Sequence, residues 1–340
     1  MNWEALQRSR LARLILWPAS LAYGAAARAR AWAYAERFLP QKRLDAAVVS
    51  VGNLTTGGVG KTPMVLWLAE RFIAQGKRVA ILTRGYGGKQ GSSDEVELLR
   101  SRLGKRAVVA VGADRFAAAN KVQAENPADV FLLDDGFQHL QLARDVDILL
   151  MDTTRPLQGA SLLPAGMLRE PLTAMGRADV VVFTRVEAQP GIAAAVAKLR
   201  GYPVFTATTK LVGFRQLRSA SALLSVDEIG DGPFLAFCGL GNPQQFFRDV
   251  GSWGLAVTGE EIFPDHHQYS AGDVERITSA ARRSGARALV TTEKDAKNLL
   301  GMPVEGLPVY VAVIELEMAQ EEEFLALMLG KIAERRGGAA

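Results

Sequence analysis

Residues 46–62 read AAVVSVGNLTTGGVGKT, and the change of character inside that stretch decides the fold. Residues 46–52 form a short apolar run rich in β-branched side chains, the pattern of a buried strand. Asn53-Leu54-Thr55-Thr56-Gly57-Gly58-Val59-Gly60 breaks the run with glycines. Lys61-Thr62 then opens a segment in which Met64, Val65, Leu68, Ala69, Phe72 and Ile73 recur at helical spacing. Strand, glycine turn, Lys-Thr and helix is the order of a phosphate-binding loop. Such a turn lets backbone N–H groups converge on phosphate oxygens, and the helix N-terminus adds partial positive charge. Lys61 is then placed to reach β- and γ-phosphates, and the Thr62 hydroxyl to ligate Mg²⁺. The general pattern G-x-x-x-x-G-K-[ST] asks for glycine at residue 55, where this chain has threonine. Thr55, Thr56, Gly57, Gly58, Val59, Gly60, Lys61 and Thr62 are therefore the expected nucleotide site on context, not on the strict pattern.

Downstream, Val130–Leu133 reads as a strand ending in Asp134-Asp135, followed by Gly136-Phe137-Gln138-His139. Carboxylates at the C-terminal end of a buried strand are the usual second support for Mg²⁺ beside a phosphate loop, so Asp134 and Asp135 are candidate metal ligands. Asp152, after the strand 148–151, repeats the geometry more weakly. Further strand-like runs at 79–83, 107–111, 146–151 and 179–183 alternate with helical stretches such as 113–124 and 190–200. That alternation predicts an α/β fold with a mostly parallel, doubly wound sheet. The second half restarts the pattern: strands at 234–237, 287–291 and 308–313, helices from 243 to about 250, over 271–284, and over 319–335. The expected organisation is an N-terminal segment (1–40), a P-loop domain (41–208), a connection (209–228), a second Rossmann-like α/β/α lobe (229–318) and a C-terminal helix (319–340).

The 340-residue chain is 49% hydrophobic and 22% charged, ordinary for a globular protein with a sizeable core. Its single cysteine, Cys238, excludes an intramolecular disulfide and thiolate metal clusters. The net charge is +4, but residues 1–43 alone carry +6 from eight basic residues against Glu4 and Glu36, leaving about −2 for the rest. A nucleic-acid footprint would spread basic residues over the body, so no nucleic-acid partner is expected. Between Arg13 and Arg28 lie 14 uncharged residues. As a helix that stretch spans ~21 Å, short of the ~30 Å hydrocarbon core. Trp3, Trp17, Tyr23, Trp32 and Tyr34 suit the headgroup zone, and flanking arginines suit an anionic surface, so the segment reads as a peripheral membrane anchor. A helix packed on the protein's own core and a cleaved signal peptide are the competing readings. Pro18 is expected to start or kink the helix.

Other motifs narrow the function. Arg84-Gly85-Tyr86-Gly87 follows the strand 79–83, and Ser93-Asp94-Glu95 follows in turn. Then come DDGFQH (134–139), Leu163-Pro164-Ala165-Gly166 with Leu168-Arg169-Glu170-Pro171, Phe263-Pro264-Asp265-His266-His267, and Thr292-Glu293-Lys294-Asp295. In this order, and with a phosphate loop lacking glycine at Thr55, the chain resembles the tetraacyldisaccharide 4′-kinase family from end to end. The resemblance implies ATP and Mg²⁺ as cofactors and a lipid A disaccharide precursor as acceptor, phosphorylated at its 4′-hydroxyl. It implies a peripheral protein at the cytoplasmic face of the bacterial inner membrane. It also implies an Asp94–His266 dyad, with Asp94 as general base and His266 tuning it. Arg169 is implied to stabilise charge on the transferring phosphoryl group, Glu170 to lie near metal or nucleotide, and Arg115 to assist as Arg169 does. On this reading Asp94 belongs to the first lobe and His266 to the second, so the dyad assembles only on closure.

The residues themselves leave rivals. The three histidines, His139, His266 and His267, sit beside Asp or Gln in turn-prone segments, which disfavours a core role and leaves a zinc site as a weak alternative. Thr292–Asp295 reads equally as a phosphate-binding or a helix-starting segment. A nucleotide-switch ATPase with K-G-G-x-G-K-[ST] is the nearest functional rival, but Thr56 stands where its signature lysine belongs. A non-catalytic nucleotide-binding module is a third reading.

Overall fold

The computed structural model describes residues 10–85, 93–155, 160–189, 201–219, 222–299, 301–302, 304 and 306–337. Residues 1–9 of the N-terminal segment, Tyr86 and Gly87, and the helix expected over 190–200 lie outside the described residues. The chain is α/β and divides into two compact units. The first comprises Met1–Arg84, Lys105–Thr208 and Met318–Ala340; the second comprises Gly85–Gly104 and Thr209–Glu317.

In the first unit the strands are β1 (Ala47–Asn53), β2 (Val79–Thr83), β3 (Ala107–Val111), β4 (Val130–Asp134), β5 (Val146–Asp152), β6 (Val180–Thr184) and the start of β7 (Val204–Gln216). Their order is β3-β2-β4-β1-β5-β6-β7, with parallel pairing throughout. Every residue of β1 is buried, which is why its sequence is a continuous apolar run and not an alternating one. Val51 pairs with Asp134 and Asn53 with Leu150. The C-terminal ends of β1, β4 and β5 thus meet at one edge, where the strand order reverses and α/β sheets bind ligands. Helix α1 (Arg10–Ala35) precedes β1, and α2 (Lys61–Ala74) follows the glycine turn. The apolar stripe of α2 is buried through Met64, Val65, Leu68 and Phe72. Each of these large side chains contributes roughly 1.5–3 kcal/mol relative to exposure.

Helix α1 runs on both sides of Pro18 instead of starting there. It buries Ser20, Gly24 and Tyr34 and exposes Leu14, Ile15, Trp17, Leu21 and Trp32. Among the described residues no helix is long and apolar enough to cross a membrane.

The second unit begins with α3 (Asp94–Leu103); α4 (Arg115–Glu125) belongs to the first. Its strands β8 (Phe234–Cys238), β9 (Val257–Ile262), β10 (Ala288–Thr292) and β11 (Val309–Met318) follow the order β7-β11-β10-β8-β9. β8 pairs in parallel with β9 and β10, and β10 with β11. Helices α5 (Pro243–Ser252), α6 (Ala271–Ser284) and α7 (Glu293–Leu299) belong to it with a one-turn helix at Val226–Ile229, and α8 (Glu321–Gly337) belongs to the first unit. Two expectations change. Residues 209–216, expected as connection, are the second part of β7. Asp94 belongs to the same unit as His266, because 85–104 groups with the second unit and α3 packs on α7.

Candidate active site

The phosphate loop is held from two sides. Thr55 bridges antiparallel to Leu168, and the Thr56 N–H donates to the Met167 carbonyl at 2.8 Å. Asn53 Nδ2 donates to the Thr55 carbonyl at 2.8 Å and to Thr55 Oγ1 at 3.0 Å. Gly57 and Gly60 take φ values of 103° and 87°, which explains glycine at those two positions. Thr55 has no positive φ and is buried, so the departure from the general pattern carries no backbone strain. Gly58 is exposed, Val59 is buried and its carbonyl accepts from Thr184 Oγ1 at 3.0 Å, and Thr62 sits half-buried in the first turn of α2.

Lys61 Nζ lies 3.2 Å from Asn53 Oδ1 and 3.4 Å from Asp135 Oδ1. Asp135 also receives Arg169 Nη1 at 2.9 and 2.7 Å. The residue has φ 55°, a left-handed conformation that turns the chain sharply after β4. Burial opposes its ionisation, but Lys61 and Arg169 outweigh that and hold its carboxyl below the usual range. Asp134, one residue earlier, is almost fully buried at the strand end. Lys61, Asp135 and Arg169, three of the residues singled out in the sequence, thus lie together. Arg115, buried at the start of α4, donates to the Ala113 carbonyl; burial and Arg84 lower its pKa, while Asp135 and Asp134 oppose the shift. Glu170 is committed elsewhere: its two oxygens accept from Arg177 at 2.8 and 2.9 Å, and Arg177 stacks over Phe137. Asp152 accepts from the Thr154 N–H and hydroxyl at 2.9 and 2.6 Å.

Three partners escaped the sequence reading. Gln138 Nε2 donates to the Asn53 carbonyl at 2.9 Å, while its Oε1 lies 3.4 Å from Arg169 Nη1. Helix α1 joins the same cluster: Tyr23 donates its hydroxyl to the Arg169 carbonyl at 2.9 Å and Arg30 donates to the Gln138 carbonyl at 3.0 Å. Ser20 donates to the Leu162 carbonyl and accepts from the Ala165 N–H. His139 stands near these arginines; burial, then Arg115, Arg144 and Arg30, depress it to about 4, so it is neutral at pH 7.

The second unit carries the Asp94–His266 pair. Ser93 caps α3 by accepting from the Val96 N–H, which places Asp94 at the first helical position. His266 Nδ1 lies 3.3 Å from Asp94 Oδ2. The His266 backbone has φ 59°, in the left-handed region. Hydrogen bonding to Asp94 raises the imidazole pKa against the cost of burial. Burial likewise opposes ionisation of Asp94, but His266, Asn298 and Lys294 together pull its carboxyl below the ordinary value. The pair is therefore formed within one unit and needs no closure to assemble. His267 is a structural neighbour, 3.0 Å from Asp273, the N3 residue of the α6 capping box. Among the described residues no three His, Cys, Asp or Glu side chains form a metal-holding group, so the zinc alternative gains no support.

A family profile described as Tetraacyldisaccharide-1-P 4′-kinase matches residues 12–333. A Tetraacyldisaccharide 4′-kinase of Pelobacter propionicus is 40% identical over 309 residues, 86% of this chain and 84% of that protein. Its counterpart in Geobacter sulfurreducens is 38% identical over 327 residues, 90% and 89% of the two chains. Among solved structures, LpxK from Aquifex aeolicus, crystallised in complex with ATP, superposes with a TM-score of 0.76 at 31% identity, covering 94% of this chain and 99% of that one.

Proposed function

This chain belongs to the tetraacyldisaccharide-1-P 4′-kinase family, and from that premise we propose that it transfers the γ-phosphoryl group of ATP to the 4′-hydroxyl of a tetraacylated glucosamine disaccharide 1-phosphate. The observation that carries the reading furthest is the meeting of Lys61, Asp135 and Arg169 at the end of β4, beside a glycine turn that opens α2. Lys61 and Arg169 leave Asp135 for the phosphates and stabilise charge as it redistributes over the transferring group. Arg115, coupled electrostatically to Asp134 and Asp135, adds positive potential. The acceptor oxygen forms its bond to the γ-phosphorus, the bond to the ADP oxygen breaks with its electron pair leaving on ADP, and the acceptor proton passes to Asp94. His266 hydrogen-bonds the carboxylate and tunes its basicity.

The donor set suits Mg²⁺, which takes one or two carboxylates plus substrate phosphates and keeps several waters. Thr62 and Asp134 would hold it, with Asp135 as the second carboxylate once its cations engage phosphate. When bound, Mg²⁺ neutralises charge between the β- and γ-phosphates. Glu170 is left out of this set, because Arg177 occupies both its oxygens.

The exposed face of α1 supports a peripheral seat on the cytoplasmic side of the inner membrane. Leu14, Ile15, Trp17 and Leu21 offer apolar insertion, and exposed Arg28, with Arg37 just past the helix, offers attraction to anionic lipid.

The acid–base assignment is tested by kcat and ATP affinity for Asp94→Ala, His266→Ala and the double variant. The expected result is a loss of roughly 10²–10⁴ in kcat for Asp94→Ala with ATP binding intact, and a smaller loss for His266→Ala. The double variant is expected to be little worse than Asp94→Ala, because groups acting as a unit are non-additive. Losses that multiply independently would contradict it. The wider exposure of the His266 side chain, 39% against 11% for Asp94, favours a second reading in which His266 takes the proton and Asp94 orients it. A larger kcat loss for His266→Ala than for Asp94→Ala would select that reading.

A further inference from the structure

Both main-chain polar groups of Arg169 are held from outside its own segment. Its N–H donates to the Leu54 carbonyl at 2.7 Å, and its carbonyl accepts from the Tyr23 hydroxyl at 2.9 Å. Because each peptide is planar, fixing the one on either side of Cα fixes the direction in which the side chain leaves the backbone. From there the guanidinium reaches the Asp135 carboxylate at 2.9 and 2.7 Å. Leu54 lies beside the phosphate loop. Tyr23 comes from α1, 146 residues away in sequence, and the phosphoryl-transfer chemistry leaves it without a task.

The seat of α1 on this segment is built by several residues. Tyr23 and Gly24 stand three and four residues on from Ser20, which puts all three on one stripe of the helix. Ser20 Oγ donates to the Leu162 carbonyl at 3.0 Å and accepts from the Ala165 N–H at 2.9 Å. Gly24 is buried, and a Cβ there would lie 2.5 Å from Leu162 Cδ1, so the leucine would have to move to admit any other residue. Two turns beyond Tyr23, Arg30 donates to the Gln138 carbonyl at 3.0 Å, and Gln138 Oε1 lies 3.4 Å from Arg169 Nη1. α1 therefore holds both the Arg169 main chain and the residue beside its guanidinium.

We propose that Tyr23 is a positioning residue for phosphoryl transfer: its hydroxyl, presented by α1, holds the Arg169 peptide so that the guanidinium meets the transferring phosphoryl group. The inference rests on the reading of Arg169 as the cation that stabilises that group. When the guanidinium leaves Asp135 for phosphate it gives up its carboxylate anchor, and the main-chain anchors remain. A displacement of about 1 Å at a reacting centre costs up to ~10²-fold in rate. The Tyr23–Arg169 bond lies at the surface, where water replaces either partner at small cost. Its loss therefore weighs on placement more than on folding.

The experiment measures kcat, KM for ATP and melting temperature for wild type, Tyr23→Phe, Arg169→Ala and the double variant, with detergent-dispersed tetraacyldisaccharide 1-phosphate as acceptor. Tyr23→Phe keeps the ring and removes only the hydroxyl. It is expected to lower kcat about tenfold through misplacement of Arg169. The KM for ATP is expected to stay within about twofold, and the melting temperature within about 2 °C. In the Arg169→Ala background the same substitution is expected to cost nothing further, because a residue that acts through Arg169 has no effect once Arg169 is gone. A kcat for Tyr23→Phe within about twofold of wild type overturns the proposal. So does a loss that persists undiminished in the double variant, since Tyr23 then acts elsewhere. A lower rate accompanied by a clearly lower melting temperature makes Tyr23 a folding residue and overturns it too. Near-wild-type transfer by Arg169→Ala instead removes the reading of Arg169 itself, whatever Tyr23→Phe does.

Discussion

Lys61 and Arg169 both point their charge at Asp135, and this shared carboxylate is the residue-scale signature of the site. Lys61→Ala is expected to lower kcat by at least ~10²–10³, the cost of one electrostatic donor to a transition state. Turnover measured on folded protein checks it, and near-wild-type kcat would remove Lys61 from the chemistry. The Asp94–His266 pair makes a second prediction, on stability. His266 has a raised folded pKa, so its contribution is full below the ordinary value of 6.5 and is lost as pH rises through the folded value. Asp94 has a lowered folded pKa, so its contribution is full above 3.8 and is lost as pH falls through the folded value. The difference in melting temperature between wild type and His266→Ala should therefore be largest between about pH 4 and 6.5 and shrink on either side. A difference constant across pH 4–8 would contradict the ion pair. At this scale the sequence was legible where spacing carries chemistry: Lys61, Thr62, Asp134 and Asp135 follow from strand ends and a glycine turn. Tyr23, Arg30 and Gln138 were not, because each reaches its partner through tertiary packing and none has a spacing signal.

At the scale of elements, burial decided what could be read. β1 and β8 are buried along their whole length and appear as unbroken apolar runs, and α6 is bounded by Ser270 and Gly285 as its sequence announces. β9, Val257–Ile262, alternates half-buried and exposed residues in VTGEEI and gave too weak a pattern to find. β7 was missed over its whole length, Val204–Gln216, for a related reason, since it is half-exposed for much of it. The turn at Leu163–Gly166 shows what the Leu-Pro-Ala-Gly motif is for. A Cβ on Gly166 would lie 2.2 Å from the Ser161 carbonyl oxygen, and the neighbouring Leu168 N–H donates to that same oxygen. Gly166→Ala is expected to destabilise the protein by about 1–3 kcal/mol, as overpacking against backbone does. Because Arg169 follows in the same segment, kcat should fall as well. Denaturant unfolding and turnover together check this; an unchanged midpoint would mean the turn relaxes freely.

At the scale of the whole molecule, the division into units was the least legible feature. Residues 85–104 lie between two strands of the first unit in sequence yet group with the second, and only packing of α3 on α7 reveals it. Helix α1 likewise does two things that composition could not separate. Its Ser20, Tyr23 and Arg30 tie it to the active-site segments, while its apolar residues from Leu14 to Leu21 stay exposed. Deleting the helix would disturb both, so the informative variant changes only the exposed face: Leu14→Asn, Ile15→Asn, Trp17→Ser and Leu21→Asn together. Co-sedimentation with anionic vesicles should fall, and activity on bilayer-presented acceptor should fall more than activity in detergent. Equal vesicle binding would contradict a membrane seat for this face.

The measurement that tests the central claim most directly is incubation of the full chain with γ-labelled ATP, Mg²⁺ and detergent-dispersed tetraacyldisaccharide 1-phosphate, followed by location of the label in the lipid. The account predicts label at the 4′-position, appearing at least about a hundredfold more slowly in Lys61→Ala and Asp94→Ala. Unlabelled lipid from protein that demonstrably binds ATP, or label at any other hydroxyl, would contradict it.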